Sequence, residues 1–501
     1  MTAVQLFLII FGYFSLLMII SWLTSRNNRD TTYFDGNRAS PWFLVAFGMI
    51  GSGISAVSLV SIPGDVGNNH LYYFQFILGT LAGSLFIAFV LIPVYFRLRV
   101  VSIYTYLDGR FGRTTYKTGS LFFLVSQSFG AALRLLLSVK ILQSAFFERL
   151  HIPYWLTIGV VLALIWLYTH KSGIRTIVWT DALQSAFLLT VIVISIVSIR
   201  RALGFSFAGM LDAIVRDPHF RIFDWSLDSG TNFFKQFVSG FLIWVALVGL
   251  DQSMMQKTLT VKKTGDAKKN VLSFTFFIGA AQTLFLGLGV LIYLYVARQG
   301  IPLTVREGQI LHTDELYPML TLHYFGATGA VAFLIAVIAS TFASIDACIT
   351  ALTTAFSYDF LQYESIPADR RKRVRYAVLL GVNIVLFGIV LLFWNSKGAI
   401  INTIFRIAGY TYGPLLGLYL LGLGSRVRLR ERLVPAACVL AALLTYALNE
   451  ILWRTFRFDV GFLNIFINAA LSILFLTLIR LRRDDRPGFP DHRGNDRPGT
   501  V

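Results

Sequence analysis

The sequence predicts an all-α protein that crosses a membrane about thirteen times. Of its 501 residues, 56% are hydrophobic and 14% are charged, whereas a soluble domain has about 25% charged residues. The hydrophobic residues collect in runs of roughly 20, the length that a helix needs to cross a hydrocarbon core of about 30 Å. Backbone groups in lipid must be satisfied within each segment, and the alternating pattern of a membrane barrel is absent, so the runs are expected to be helices.

Thirteen apolar runs are long enough to be spans. They cover residues 4–24, 42–64, 72–96, 118–147, 154–169, 176–199, 236–256, 271–297, 328–357, 375–394, 399–421, 433–453 and 459–480. The first run has no basic residue before it and no small-residue cleavage pattern after it, so we expect a retained helix rather than a signal peptide. Residues 481–501, rich in Pro, Gly, Asp and Arg, are predicted to form a disordered tail.

The basic residues predict the orientation of the chain. The formal charge is +18, from 44 Lys and Arg against 26 Asp and Glu, and most of the basic residues fall in every second loop. Because cytoplasmic loops are enriched in Lys and Arg, the N-terminus is predicted outside the cell membrane and the C-terminus in the cytoplasm. A basic excess is also typical of nucleic-acid binding, but the apolar runs explain the composition better, so no nucleic acid is expected as a partner.

Five ionisable residues are predicted at bilayer depth: Arg134, Asp181, Asp251, Asp346 and Arg406. Charged groups there are costly unless they are paired or hydrated, so each is a functional candidate. Asp181 and Asp251 lie near predicted helix ends, where a helix cap or an ion pair is the alternative. Arg134 and Asp346 are more central, and there the alternative is a structural ion pair.

The second run has an unusual density of residues that weaken a helix. It contains Gly48, Gly51, Ser52, Gly53, Ser55, Ser58 and the pair Pro63-Gly64. A helix broken here would release carbonyls near the midplane, which a desolvated Na⁺ needs, and discontinuous helices form the ion and substrate sites of many secondary transporters. The alternative is a tight helix crossing that uses small residues.

The ninth run carries oxygen atoms on two helical faces. Ser340 and Ser344 are four residues apart on one face, and Asp346 and Thr350 are four apart on another,. These faces could serve two ions. Alternatively, the hydroxyls bond back to their own helix.

Six motifs follow one another along the chain: YFDGNRASPWFLVAFGMIGSGISAVSLVSIPG, VSIYTYLDGRFG, SGIRTIVWTDALQSAFLL, GLDQSMMQKTLTVKKTGDAKK, ASIDACITALTTAFSYDF and YTYGPLLGLYLLGL. In this order they resemble the sodium/solute symporter family, whose members share a LeuT-like core of two inverted five-helix repeats. The resemblance implies a transporter domain over residues 1–480. Its parts would be a leading helix over 4–24, a first repeat over 42–199, a second repeat over 236–421 and two trailing helices over 433–480.

The resemblance implies a first sodium site between the broken helix and the serine-bearing helix. Its ligands would be the backbone carbonyls of Gly51, Ile54 and Ser340 and the hydroxyl of Ser344. Many members have a second, adjacent hydroxyl where this chain has Ala343. The site would therefore have one protein ligand fewer.

A second cation site is implied at Asp181 and Asp346. Asp181, in a Thr-Asp-x-x-Gln motif, matches a carboxylate that helps to hold a second sodium in some members, and Asp346 stands close to it in the same comparison. The region would bind a cation, or a proton if the pKa of a carboxyl group is raised there.

The resemblance also implies an anionic solute. Arg134 matches the arginine that grips the substrate carboxylate in members that carry sialic acid, a task that suits the fixed bidentate geometry of guanidinium. The positions that bind the sugar in other members match Ser58, Ile77 and Trp244. These three side chains cannot bind a ring of hydroxyl groups. The sequences of two motifs are also similar to those of the vitamin and monocarboxylate branch of the family.

The implied solute site has Arg134 as its anchor. Gly53, Ser55 and Ser58 are expected beside it, with Gln75 and Trp244 as wall residues. Two alternatives stay open: a neutral solute, and a purely structural role for Arg134 as a partner of Asp181 or Asp346.

The sequence therefore favours a monomeric symporter in a lipid bilayer that uses Na⁺ to drive uptake of a small organic solute by alternating access. An enzyme is disfavoured, because the seven histidines fall in loops, the tail or near run ends without metal-ligand spacing,. The two cysteines, Cys348 and Cys438, lie in apolar runs and are expected to pack as small hydrophobic residues. A channel or sensor on the same core is the remaining alternative, and it would show ion flux or signalling without solute coupling.

Overall fold

The computed structural model describes residues 11–20, 23, 40–169, 174–306, 308–395 and 400–480. The predicted disordered tail and both ends of the first apolar run lie outside these residues. Within them, the regular structure is helical apart from a two-stranded antiparallel hairpin of β1 (Val305–Arg306) and β2 (Gln309–Ile310).

The main helices of the described segments follow in chain order. They are α1 (Phe11–Ile20), α2 (Trp42–Gly53), α3 (Ala56–Asn69), α4 (Tyr73–Leu98), α5 (Thr105–Phe111), α6 (Arg113–Leu142), α7 (Tyr154–Thr169), α8 (Ile174–Ala202), α9 (Phe207–Arg216), α10 (Phe233–Gly249), α11 (Gln252–Thr258), α12 (Thr264–Gln299), α13 (Thr313–His323), α14 (Gly326–Phe360), α15 (Ala368–Phe393), α16 (Ile400–Gly424), α17 (Val434–Phe456) and α18 (Asn464–Leu478).

Eight helical segments are long and apolar enough to cross a membrane, and two bent helix pairs raise this number to ten within the described residues. The bent pairs are α2 with α3, at 60°, and α10 with α11, at 66°. Two shorter apolar helices, Phe11–Ile20 and Tyr154–Leu167, fall within further predicted runs, and α16 covers the run 399–421. The total of thirteen spans stays a prediction.

Helix α14 forms the centre of the bundle. Of its most apolar stretch 89% is buried, against 22% for α15 and for the span that contains α17. It packs against α2, α6 and α8. On the outer helices large apolar side chains are exposed instead, such as Leu392 at 76% and Phe456 at 71%. An exposed apolar surface of this kind is expected where helices face lipid.

Helices α4 and α10 touch each other at two glycines. A Cβ atom on Gly79 would lie 2.1 Å from the carbonyl oxygen of Phe237, and one on Gly240 would lie 2.2 Å from the carbonyl oxygen of Phe76. Small residues of this kind let helix backbones approach closely in membranes. The contact fixes the first half of the second bent pair against α4.

We expect the substitution Gly79→Ala to destabilise the protein by about 1–3 kcal/mol, because the added methyl group must push two backbones apart. The matched control is Gly287→Ala on α12, where an added Cβ meets no atom within 4 Å. Thermal unfolding of the purified variants in detergent measures the difference. Equal melting temperatures for the two variants would contradict the close crossing.

Candidate functional site

The first helix break lies between α2 and α3, where Ile54 and Ser55 have extended backbone conformations. Helix α2 ends in a Gly-Ser-Gly sequence, which favours a helix only weakly. Glycine at position 51 also lets α2 approach α8, since a Cβ atom there would lie 2.7 Å from Ser185 Oγ. The helix that the sequence predicted to be broken is therefore broken, at residues 54 and 55.

Ser185 of α8 enters the hydrogen-bond ladder of α2. Its Oγ accepts a hydrogen bond from the Gly51 N–H at 2.7 Å and lies 2.8 Å from the carbonyl oxygen of Phe47. In a regular helix the Gly51 N–H would donate to Phe47 directly, and a side chain inserted into this ladder bends a helix. Sequence reasoning did not select Ser185, although it follows Asp181 by one helical turn.

At the break, the carbonyl groups of residues 51–54 accept no hydrogen bond from the described residues. The N–H of Ile54 donates to Ile50, and the N–H of Leu59 donates to Ser55. No donor among the described residues bonds to the carbonyls of Gly51 and Ile54, and both residues are buried. A buried carbonyl without a partner is costly. These two oxygens are therefore suited to bind a cation.

Ser340 and Ser344 lie on α14, which packs against α2. Both are buried, and the hydroxyl of Ser344 donates to the carbonyl of Ser340 at 2.7 Å. The bond back to the helix does not remove the lone pairs of the Ser344 oxygen, which stay available to a cation. The neighbouring Ala343 is fully buried and adds no oxygen.

Asp181 is paired with Lys257, a residue that lies just outside the predicted run 236–256. The ammonium of Lys257 on α11 lies 2.5 Å from Asp181 Oδ2, and the two side chains are 1% and 0% exposed. Asp346 is also fully buried. It and Asp181 both lie close enough to the Tyr13 hydroxyl to interact with it electrostatically. In this structure Asp181 therefore forms an ion pair, which is one of the alternatives that the sequence left open for it.

The second break, between α10 and α11, differs from the first because side-chain hydroxyls bond to two of its carbonyls. Tyrosine hydroxyls donate to the carbonyls of Gly249 and Leu250, at 2.9 Å and 3.0 Å. Asp251 accepts from the N–H of Ser253 at 2.8 Å through Oδ1. Its Oδ2 accepts from the Tyr412 hydroxyl at 2.5 Å. Asp251 is therefore the N-cap of α11, the alternative that the sequence left open.

Arg134 lies beside this second break. Its Nη1 donates to Cys348 Sγ at 3.4 Å, and the amide of Gln127 donates to the same sulfur and to Ser253 Oγ, both at 3.1 Å. Within the described residues, no carboxylate lies within 4.0 Å of the guanidinium, and Asp181 pairs with Lys257 instead. The alternative that the sequence left open, an ion pair of Arg134 with Asp181 or Asp346, is not among the ion pairs of this part of the chain. The guanidinium interacts electrostatically with the buried Asp251 carboxylate from beyond 4.0 Å.

A small cavity surrounds the Arg134 side chain, with a volume of about 10 Å³. That volume holds about one water molecule, so the cavity is closed in this conformation. Its lining is largely apolar and comprises Ser126, Gln127, Gly130, Leu133, Arg134, Leu247, Ile404, Ile407, Ala408 and Tyr412.

The other residues predicted for the solute site do not line this cavity. The Gln75 amide bonds to the backbone of Thr231 and Asp224. Trp244 donates to Thr275 Oγ1 at 2.9 Å, and a Cβ atom on Gly53 would meet the side chains of Phe274 and Ile278 on α12. Ser55 and Ser58 are buried near the first break. The contacts of Gln75, Trp244 and Gly53 therefore go to an outer segment and to α12 rather than to Arg134.

Among the cavity residues that sequence reasoning missed, Gln127 and Tyr412 form hydrogen bonds to Ser253 and Asp251 at the second break. Cys348 was predicted to pack as a small hydrophobic residue. It is buried, as expected, but its sulfur also accepts two hydrogen bonds. One sequence signal could have indicated a role for Cys348 at this site. It lies four residues after Ser344, so both side chains are on one face of α14.

A larger cavity of about 280 Å³ opens at the end of the bundle predicted to be outside. Arg406, Asp65 and Asp459 contribute charged groups to its wall. His70 also lines it. Burial, with a smaller contribution from Arg221, lowers the pKa of His70, so this imidazole is neutral at pH 7.

Comparison with known proteins identifies related transporters. The human sodium/iodide cotransporter is 23% identical over 444 residues, which cover 82% of this chain and 65% of the length of that protein. The sodium/sialic acid symporter NanT of Aliivibrio fischeri is 21% identical and is covered over 91% of its length by 94% of this chain. This chain is therefore shorter than the human relative and similar in length to the bacterial one.

The solved structure of a Na⁺-coupled sialic acid symporter, in a substrate-bound outward-open state, matches the fold. Its TM-score is 0.79 at 17% sequence identity, and the match covers 94% of this chain and 97% of that one. The predicted all-α, LeuT-like architecture is confirmed. The model of the sodium:solute symporter family matches residues 33–427, which is most of the sequence and includes both broken helices, and the chain therefore belongs to that family.

Proposed function

We propose that the chain is a Na⁺-coupled symporter that carries a small organic anion across a cell membrane by alternating access. The observation that carries the proposal is the guanidinium of Arg134, which faces a cavity at the second break with no carboxylate within 4.0 Å among the described residues. A charge at this depth is costly unless it is paired. The Asp251 carboxylate acts on Arg134 only from beyond 4.0 Å, so no counter-charge among the described residues is in direct contact with the guanidinium. An anionic solute would supply that counter-charge.

The first break supports sodium as the coupling ion. The free carbonyls of Gly51 and Ile54 and the oxygens of Ser340 and Ser344 would bind Na⁺ between the broken helix and α14. The names of the relatives agree with this assignment, since the human cotransporter and the bacterial symporter are both described as sodium-coupled carriers of an anion, iodide or sialic acid.

Helix α14 supplies a physical link between ion and solute. Ser344 and Cys348 are one helical turn apart, with Ser344 at the proposed sodium site and Cys348 hydrogen-bonded to Arg134,. Sodium bound at Ser344 would fix the position of α14 against α2 and thereby the position of the sulfur that orients the guanidinium. Sodium binding would thus favour the arrangement that accepts the anion.

The lining of the Arg134 cavity favours one class of anion. Most of the side chains around the guanidinium are aliphatic, and they offer few partners for a ring of hydroxyls. A short carboxylate with an apolar body would satisfy both the charge and the lining. The helices around Arg134 must separate before a solute can bind, because the closed cavity has room for about one water molecule,.

Substitution of Arg134 tests the anion. In proteoliposomes with an inward Na⁺ gradient, we expect uptake of one labelled acid from a panel of lactate, butyrate, pantothenate and sialic acid. Arg134→Ala is expected to lower this uptake more than about tenfold, because hydrogen bonds to a charged group contribute about 1.5–3 kcal/mol. The charge-matched control is Arg216→Ala on α9, whose side chain is 79% exposed.

The same panel includes the neutral solutes glucose, proline and myo-inositol. Na⁺-driven uptake of a neutral solute that survives Arg134→Ala would contradict the anion proposal and return Arg134 to a structural role. Sodium-independent uptake would contradict the proposed coupling.

Substitution of Ser344 tests the sodium site. Ser344→Ala is expected to raise the Na⁺ concentration for half-maximal uptake by about tenfold, which corresponds to about 1.4 kcal/mol for one lost ligand. Thr190→Ala is the matched control, because its hydroxyl also bonds back to its own helix but lies on an exposed face of α8. An unchanged Na⁺ dependence in Ser344→Ala would remove Ser344 from the site.

A further inference from the structure

The ion pair of Lys257 with Asp181 lies where a second cation was expected. Lys257 Nζ is 2.5 Å from Asp181 Oδ2, and neither side chain is more than 1% exposed. The other carboxylate oxygen, Oδ1, is buried and accepts no hydrogen bond from the described residues. The ammonium is therefore the one positive partner of this carboxylate in that part of the chain.

A direct ammonium contact changes what Asp181 can bind. The Lys257 charge already compensates the carboxylate, so a metal ion on Oδ1 would stand a few ångströms from a second positive charge. In a medium of low dielectric constant that repulsion is strong, and it opposes binding of a free cation. Because neither charge has water around it, removal of one partner would leave the other as an uncompensated buried charge.

We propose that the ammonium of Lys257 is a built-in second cation, so that the chain binds a single exchangeable sodium, at the first break. This inference rests on the proposed sodium coupling and deepens it by fixing the number of ions. The built-in cation cannot be released to the cytoplasm, because it belongs to α11. During transport it can only separate from Asp181 and return to it.

The position of the pair gives it a mechanical role as well. Lys257 belongs to the second half of the second broken helix, and Asp181 lies on α8, where Ser185 one turn later binds the end of α2. The ion pair therefore joins α11 to the helix that supports the first break. With one sodium and one monovalent anion, a transport cycle moves no net charge, and an imposed membrane potential leaves uptake unchanged.

Equilibrium binding of ²²Na⁺ to the purified full-length chain tests the inference without any solute. We expect one ion per wild-type chain and one additional ion in Lys257→Gln, because the freed carboxylate then needs a counter-ion. Lys257→Arg, which keeps the charge, is expected to bind one ion. The double variant Asp181→Asn/Lys257→Gln, which removes both charges, is also expected to bind one.

The outcomes separate this inference from the proposed function. One ion in both wild type and Lys257→Gln, or two ions in wild type, would overturn the built-in cation and leave sodium coupling intact. No ion in any variant would overturn both. If Lys257→Gln does not fold, the wild type and the double variant decide: one ion in each supports the inference, and a second ion in wild type that the double variant loses overturns it.

Discussion

Every carbonyl that a broken helix releases inside a bilayer needs a partner, and this requirement organises the protein. At the second break, tyrosine hydroxyls donate to the carbonyls of Gly249 and Leu250. At the first break, the carbonyls of Gly51 and Ile54 have no such donor among the described residues. Protein hydroxyls thus bond to two carbonyls at one break, and at the other the buried carbonyls of Gly51 and Ile54 are the proposed ligands of a cation. This asymmetry separates a fixed structural joint from a site whose occupancy can change.

The buried charges follow the same logic. Asp251 is held by a hydroxyl and by the N-terminus of α11, and Asp181 is held by Lys257. Arg134 is the contrasting case, since its hydrogen-bond acceptor among the described residues is a neutral sulfur. This difference between two internally paired carboxylates and a guanidinium beside a cavity is the physical basis of the proposal that Arg134 binds an anionic solute.

Much of the fold could be predicted from the sequence, because apolar runs of spanning length become helices in lipid. The Gly and Ser residues before position 54 predicted the first break, because they weaken a helix. The second break was missed, since the run 236–256 has no comparable group of helix-weakening residues and the donors that complete the break come from distant helices. The burial of Lys257 was missed as well, because its partner Asp181 is 76 residues away in sequence. Contacts between distant segments also explain why the sequence did not predict the partners of Gln75 and Trp244. Their polar groups bond to an outer segment and to α12.

An experimental density map of the full-length chain in lipid, compared between saturating Na⁺ and a large organic cation, tests the central assignment most directly. We predict a density peak between the carbonyls of Gly51 and Ile54 and the hydroxyl of Ser344 that appears only in Na⁺. If the peak is absent and protein N–H groups or an ordered water satisfy those carbonyls in both conditions, the first break is a structural joint like the second, and the account is contradicted.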